Sequence, residues 1–335
     1  MKISASIYSN KNATLEETIT GLDNQNVDML HIDCNDSISV IDDIKSIKKI
    51  SDKLLDLHLI TPNPTPFYEQ LKDAQVDYLT IQYEEIEGDI KIPSYLTGEK
   101  GLAITSNTSI DVFEKYKDQF DYILIMATTP GQSGGAFNAD NFQKIRAFHS
   151  KYPTKKVHVD GGVNGEVSFI LRNMGVYSSV SGSYLFNSKT IDSALINLKH
   201  NEFDSHFKVK DFMRPVNKNN CIIDTEFTFK STLQSIEDGN IGFTSVVDNN
   251  NTLKGIISNA DVRKGLIQNF DSIENITLDN LINSTPVTID EEKTVSEMLQ
   301  LIKSKNFPIM YLPVINTENN ITGIVSFINL IKGEL

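Results

Sequence analysis

The sequence predicts an α/β protein: an eight-stranded parallel (β/α)8 barrel followed by a smaller α+β domain made of two similar halves. Three observations carry this. Short β-rich runs alternate with amphipathic helical patterns through the first ~200 residues, the beat a closed barrel needs. No Gly-x-Gly-x-x-Gly turn follows the first strand, which disfavours the rival open doubly wound sheet. Beyond His206 two segments of ~60 residues carry similar motifs in the same order, and a unit that small buries too little apolar surface alone, so the copies are expected to pair. The 335 residues fit two domains of roughly 150 each. The expected division is 1–203 for the barrel and 204–335 for the pair, its halves near 206–270 and 271–335. The boundary falls in the polar stretch Lys199–Lys208, which has little strand pattern.

The strands are expected at Ile3–Tyr8, Asp28–Asp33, Leu54–Ile60, Asp77–Ile81, Gly101–Thr105, Asp121–Ala127, Lys156–Asp160 and Ser178–Ser181. Helical patterns lie between them at Leu15–Leu22, Val40–Ile50 and Phe142–Phe148, and another helix starts near Asn164–Ile170. In the second domain, the first copy contains Val209–Pro215, Ser245–Asp248 and Leu253–Leu266. The second contains Leu278–Pro286, Leu312–Ile315 and Ile321–Lys332. Each copy reads as an extended segment, a helix, a hairpin-like pair and a second helix.

Composition narrows the function classes. With 39% hydrophobic and 22% charged residues the chain is globular. The longest apolar run, around Tyr122–Ala127, is strand-sized and far short of the ~18 residues of a membrane span. Met1–Asn10 has no sustained apolar stretch, so no signal peptide is expected, and two cysteines, Cys34 and Cys221, make no disulfide framework. A cytoplasmic setting follows as the expectation. A formal charge of −13 argues against nucleic acid and anionic membranes as partners but leaves room for an anionic metabolite in a local pocket.

Alternation along a strand puts His31 and Asp33 on one face. His58 in Asp56–Ile60 and Asp160 in Val157–Val163 sit near the ends of two further strands, at the barrel mouth where catalytic groups collect. Singly, each has a bland reading as a locally hydrogen-bonded side chain. Together, two imidazoles and two carboxylates suit one divalent cation, Zn²⁺ first, with Mn²⁺, Fe²⁺ and Co²⁺ as alternatives. Gly161–Gly162 and Gly182–Ser183 follow strands seven and eight, the pair of loops that often binds phosphate in such barrels; either pair alone would also serve as ordinary turn residues.

The segments Ala5–Ile7, His31–Asp36, Asp56–Leu59, Met126–Phe137, Val159–Val163 and Gly182–Phe186 together resemble the ribulose-phosphate 3-epimerase family across nearly the whole first domain. The resemblance implies a ketose phosphate bound at a metal held by His31, Asp33, His58 and Asp160, with Asp33 and Asp160 as acid and base on opposite sides of C3. It also implies substrate contacts from Met126 and the lid residue Gly134. Ser6 and Gln82 are candidates for sugar hydroxyls, and His158 for a partner behind the ligands or an ordinary core histidine. Inverting a carbon beside a carbonyl requires a proton off one face and a proton onto the other, which two flanking carboxylates supply. The family's Met-Asp-Gly reads Asn35-Asp36-Ser37, its His-Leu-Met reads His58-Leu59-Ile60, and its Thr-x-His-x-Glu reads Thr80-Ile81-Gln82-Tyr83-Glu84. The lid reads Pro130-Gly131-Gln132-Ser133-Gly134-Gly135-Ala136-Phe137. Ligands and acid/base pair are kept while cap and lid change, so the departures bear on which sugar is taken: ribulose 5-phosphate and xylulose 5-phosphate, or a longer ketose phosphate.

The two copies resemble a tandem pair of cystathionine-β-synthase (CBS) domains, on Gly255–Asp261 and Gly323–Asn329. In nucleotide-binding members the hydroxyl contacts phosphate and the acidic residue holds ribose, which makes Ser258, Asp261, Ser326 and Asn329 the positions for AMP, ADP or ATP, with Arg263 or Lys264 beside the phosphate. The competing reading is a dimerisation module without ligand; either way a homo-oligomer is expected. The leading function is a metal-dependent sugar-phosphate 3-epimerase responsive to an adenosine nucleotide. The alternatives are a sugar-phosphate-binding or nucleotide-sensing protein without turnover, and a barrel lyase or isomerase for a related phosphosugar.

Overall fold

The computed structural model describes residues 1–25, 27–128, 134–199 and 206–327, without the side chain of Lys218. The chain divides into two compact units, Met1–Asp204 and Ser205–Lys332.

In the first unit eight parallel strands close into a barrel: β1 (Lys2–Ser6), β2 (Met29–Asn35), β3 (Leu54–Ile60), β4 (Tyr78–Gln82), β5 (Glu99–Thr105), β6 (Tyr122–Met126), β7 (Lys156–Asp160) and β8 (Ser178–Ser181), which pairs back onto β1. The helices are α1 (Leu15–Asp23), α2 (Val40–Ile47), α3 (Thr65–Ala74), α4 (Asp140–Lys151), α5 (Gly165–Asn173), α6 (Ser183–Asn187) and α7 (Ile191–Lys199). On β1–β4, β6 and β7 the strand residues facing the helices are apolar because both faces of a parallel barrel sheet are covered, whereas β8 turns the buried Ser179 and Ser181 to that side. On α2, Val40, Ile41, Ile44 and Ile47 form the buried stripe of an amphipathic helix. Thr14 opens α1 with a capping box to Glu17, and Asn164 caps α5 by accepting from the Val167 amide.

Two connections carry no α-helix. After β4 comes a 3-10 turn, Tyr83–Glu85, then irregular chain to β5; after β5 comes the 3-10 helix Ile110–Lys115. The first of these crosses Gly88 and Gly98, both at positive φ, and Pro93, and its buried Ile90 and Leu96 do not recur at helical spacing.

An aspartate stands just before β2, β4 and β6. The carboxylates of Asp28, Asp77 and Asp121 each accept at 2.8 Å from a backbone amide in the preceding strand, on Ile3, Leu55 and Lys100 respectively. These bonds close the end of the barrel opposite the candidate site. Above them Met29, Tyr78 and Tyr122 fill the interior, with the Tyr122 hydroxyl 2.7 Å from that of Thr80.

In the second unit, α8 (Val209–Phe212) and β9 (Arg214–Pro215) precede the first copy: β10 (Cys221–Ile223), α9 (Phe229–Gly239), β11 (Phe243–Val247), β12 (Leu253–Ser258) and α10 (Asn259–Gln268). The second copy has β13 (Ile289–Asp290), α11 (Val295–Lys303), β14 (Tyr311–Ile315) and β15 (Ile321–Ser326); its expected second helix falls on residues 328–332, outside the described residues. The hairpins match residue for residue. Phe243 faces Ser258 as Tyr311 faces Ser326, and the ladder is irregular after Val246 as it is after Val314. Each copy lends its leading segment to the other sheet: β9 pairs with β15, and Asn283 bridges to Ile256 of β12. Asn251 and Asn319, both at positive φ, complete the exchange, with side-chain amides donating to the carbonyls of Ile321 and Leu253.

This crossing explains the glycine of each Gly-apolar-apolar-Ser motif. A Cβ on Gly255 would strike the Asn283 carbonyl, and one on Gly323 would lie 2.7 Å from Met213 Cγ and 3.0 Å from the Arg214 carbonyl. Gly255→Ala is therefore expected to destabilise the second unit by about 1–3 kcal/mol, since a backbone carbonyl yields little. Urea unfolding of the full chain checks this, with the barrel transition unmoved.

Candidate metal centre

The mouth of the barrel is polar because alternation points one residue in two inward. On β2 these are His31 and Asp33, on β3 Asp56 and His58, on β4 Gln82 and on β7 Asp160. Parallel register sets His31 beside Asp56 and Asp33 beside His58. One donor atom from each of His31, Asp33, His58 and Asp160 lies within 4.8 Å of all the others. His31 Nε2 is 3.2 Å from Asp33 Oδ1 and 3.8 Å from Asp160 Oδ2, and His58 Nδ1 is 3.6 Å from Asp33 Oδ1. Both imidazoles are fully buried.

The far nitrogen of each imidazole is held from behind. His31 Nδ1–H donates to Asp56 Oδ2 at 2.8 Å, and Asp56 also accepts from Ser4 Oγ at 2.9 Å. His58 Nε2–H donates to Gln82 Oε1 at 2.9 Å. This leaves His58 Nδ1 buried without a hydrogen-bond partner, facing the centre. Burial opposes charge on His31, yet the carboxylates of Asp56 and Asp33 outweigh it and hold the ring well above its usual pKa. Burial also works against ionised Asp33, but the histidines keep its carboxyl below the usual carboxylate range. Asp160 goes the other way, raised to about 6 by burial and by the neighbouring Asp33 despite the pull of His31. An orphaned imidazole nitrogen and two crowded carboxylates are the donor set a divalent first-row cation satisfies. The four residues therefore fit such an ion.

The other expected site residues sit around this centre. Ser6 Oγ is 3.4 Å from Asp33 Oδ2, and a Cβ added to Gly182 would lie 3.1 Å from Ser6 Cβ, so the rim after β8 adjoins the aspartate. Ser183 begins α6 just beyond. Gly161 and Gly162 have φ +105° and +66°, conformations that favour glycine, and a Cβ on Gly161 would meet the Thr128 amide nitrogen at 2.8 Å. Met126 faces the interior with Ala103 and Leu124, opposite Asp160 in register. Gly134 is exposed with open space around it, and residues 129–133 of the lid are outside the described residues.

Gln82 does not reach outward for a sugar hydroxyl; its amide is spent between His58 and Glu84, at 2.9 and 2.5 Å. His158 stays clear of the centre. Its ring stacks on Tyr122 at 4.0 Å and Tyr177 at 5.4 Å, and burial pushes its pKa down to about 3. The folded protein thus keeps it neutral while the unfolded chain protonates near pH 6.5, so its contribution is complete above that pH and is lost as pH falls from there toward 3. Between pH 7 and 5 the native barrel is expected to lose about 2 kcal/mol more than a His158→Phe variant, read by urea unfolding. Asp56 and Glu84 support the centre in roles the sequence motifs alone do not assign. Strand alternation alone places Asp56, two residues before His58, on the same inward face.

In the second unit Ser258 and Asp261 form a capping box at the start of α10. Asp261 Oδ2 accepts from the Ser258 amide at 2.9 Å and hydroxyl at 2.6 Å, and Ser258 Oγ accepts from the Asp261 amide. Arg263 and Lys264 are exposed. Ser326 ends β15, and Asn329 lies outside the described residues.

The Ribulose-phosphate 3 epimerase family model matches residues 2–186, more than half of the chain. The chain belongs to that family. The ribulose-phosphate 3-epimerase of Schizosaccharomyces pombe is 25% identical over 212 residues, 59% of this chain and 92% of the relative. That of Methanocaldococcus jannaschii is 29% identical over 213 residues, 59% of this chain and 90% of the relative. Unlike a bare barrel, this epimerase-family chain carries a CBS pair, whose second copy the CBS domain model matches at 278–334. Among solved structures the CBS-pair protein CBSX2 from Arabidopsis thaliana is similar at 19% identity, covering 38% of this chain and 94% of that one, with a TM-score of 0.31. Among the described residues no helix of this epimerase-family chain is long and apolar enough to cross a membrane.

Proposed function

We propose that the barrel epimerises C3 of a ketose phosphate, interconverting ribulose 5-phosphate and xylulose 5-phosphate or a close relative, at a divalent metal held by His31, Asp33, His58 and Asp160. The observation that carries this reading is the convergence of two imidazoles and two carboxylates within 4.8 Å at the barrel mouth. Held by these four side chains, a divalent ion would supply Lewis-acid polarisation of the ketose carbonyl and stabilisation of negative charge on the substrate oxygens. Asp33 and Asp160 handle the proton at C3: one takes it from one face, and the other, already protonated, delivers its own to the opposite face. The roles exchange for the reverse direction. Asp56 and Gln82 orient the imidazoles. The backbone amides around Gly161, Gly162, Gly182 and Ser183 receive the phosphate, Ser6 meets a sugar hydroxyl, and Met126 and Gly134 bound the substrate from the interior and the lid.

The CBS pair serves in this reading as a regulatory site for AMP, ADP or ATP at Ser258, Asp261, Ser326 and Asn329, and as a contact through which the chain forms a homo-oligomer. The free thiols Cys34 and Cys221 support a reducing, cytoplasmic setting. The test is an assay of the purified, metal-loaded protein against ribulose 5-phosphate and longer ketose phosphates. Formation of the C3 epimer is expected. No epimer from any of them, with sugar phosphate or nucleotide still bound, selects the sensor reading instead.

A further inference from the structure

We propose that Glu84 is a positioning residue that acts through Gln82 to hold His58 in the tautomer whose Nδ1 lone pair faces the metal centre. The inference rests on the reading of that centre as a cation site. It follows from donor and acceptor chemistry along one line of contacts. Gln82 is 1% exposed and both ends of its amide are engaged. Its Nε2 lies 2.5 Å from Glu84 Oε2 and its Oε1 lies 2.9 Å from His58 Nε2. A carboxylate only accepts, so the amide nitrogen must face Glu84 and the amide oxygen must face the imidazole. That oxygen also only accepts, so His58 Nε2 must carry the hydrogen. A neutral imidazole has one N–H, which leaves Nδ1 bare. This is the nitrogen found buried and unpartnered, 3.6 Å from Asp33 Oδ1.

Glu84 can impose this order because its other oxygen is fixed. Glu84 Oε1 accepts from the Thr105 amide at 2.8 Å, from Thr105 Oγ1 at 3.1 Å and from Thr108 Oγ1. The loop bearing both threonines is itself tied down by Lys144 Nζ, which donates to the carbonyls of Thr105, Ser106 and Thr108 at 2.9, 2.6 and 2.6 Å. The two ligand histidines are thus supported differently: His31 by the carboxylate of Asp56 directly, His58 by a carboxylate one amide away. A histidine at position 82 would be donor or acceptor according to its own tautomer. Glutamine has no such freedom once Glu84 selects its orientation.

The test uses the full chain. In ¹⁵N-labelled, metal-free protein at pH 8, imidazole ¹H–¹⁵N correlations are expected to show His58 only as the Nε2–H form. Glu84→Gln, whose oxygen is claimed by the Thr105 amide so that its NH₂ faces Gln82, is expected to turn the Gln82 amide over, populate the Nδ1–H tautomer of His58 and weaken Co²⁺ affinity about 10- to 100-fold. In a Gln82→Leu background the same Glu84→Gln change is expected to shift Co²⁺ affinity less than about twofold, because the line of contacts is already cut. A role confined to bracing Thr105 and Thr108 would give equal losses in both backgrounds. The proposal is overturned if His58 remains purely Nε2–H in Glu84→Gln, or if the losses add. Should the native chain bind no Co²⁺, the metal reading fails while the tautomer comparison still decides the role of Glu84.

Discussion

Asp33→Asn is expected to lower kcat by about 10⁴-fold, at the upper end of what a general acid or base contributes, with a much smaller change in KM. The substitution keeps the shape and an acceptor 3.2 Å from His31 Nε2 but removes a negative charge from the candidate cation set and, in the proposed mechanism, the proton acceptor at C3. Substrate affinity is expected to be largely spared because the phosphate position proposed above uses the backbone amides of the loops after β7 and β8, not the Asp33 carboxylate. Asp160→Asn is expected to be similarly severe. The two variants are distinguishable in D₂O: each retains one carboxylate, so each should slowly exchange the C3 proton of only one epimer, and of opposite epimers. Steady-state kinetics and ¹H NMR exchange check both statements. A variant at either position with a tenth or more of native turnover would contradict the assignment.

Removal of the metal is expected to be the next largest effect. Dialysis against a chelator should cut turnover by three orders of magnitude or more, restored by Zn²⁺, Mn²⁺, Fe²⁺ or Co²⁺. Stability supplies a second readout. A ligand held only by the folded state adds about 2.7 kcal/mol at 100 times its Kd, and a barrel of this size gains roughly 2–4 °C per kcal/mol. The barrel transition should therefore fall by several degrees on chelation, and by at least as much without dependence on added metal in His58→Ala. The second unit should melt as before. A chelated protein with undiminished turnover and an unmoved melting transition would contradict the metal reading.

The barrel and its centre were largely legible because both depend on short-range patterns. Period-two alternation and strand punctuation locate eight strands, and alternation alone puts His31 with Asp33 and predicts an inward His58 and Asp160. What escaped depends on how strands register. Nothing in the separate motifs says that His31 will face Asp56 across β2 and β3, or that Gln82 will sit between His58 and Glu84. The connection after β4 reads as a helix only by analogy with its neighbours; Gly88, Pro93 and Gly98 decide otherwise. In the second unit the repeat was visible, but not the exchange of leading segments between copies, which is a tertiary choice. That exchange gives Gly255 and Gly323 a packing reason, and the capping box gives Ser258 and Asp261 a structural one, beside any nucleotide they bind.

The most direct measurement follows the fate of the C3 hydrogen. Ribulose 5-phosphate is incubated in D₂O with the metal-loaded full chain and the product read by ¹H NMR. Two carboxylates on opposite faces of the sugar predict xylulose 5-phosphate, or the C3 epimer of whichever ketose phosphate is accepted, carrying solvent deuterium at C3. Epimer that keeps its original C3 hydrogen, or an absence of C3 epimer from every ketose phosphate offered, would contradict the account.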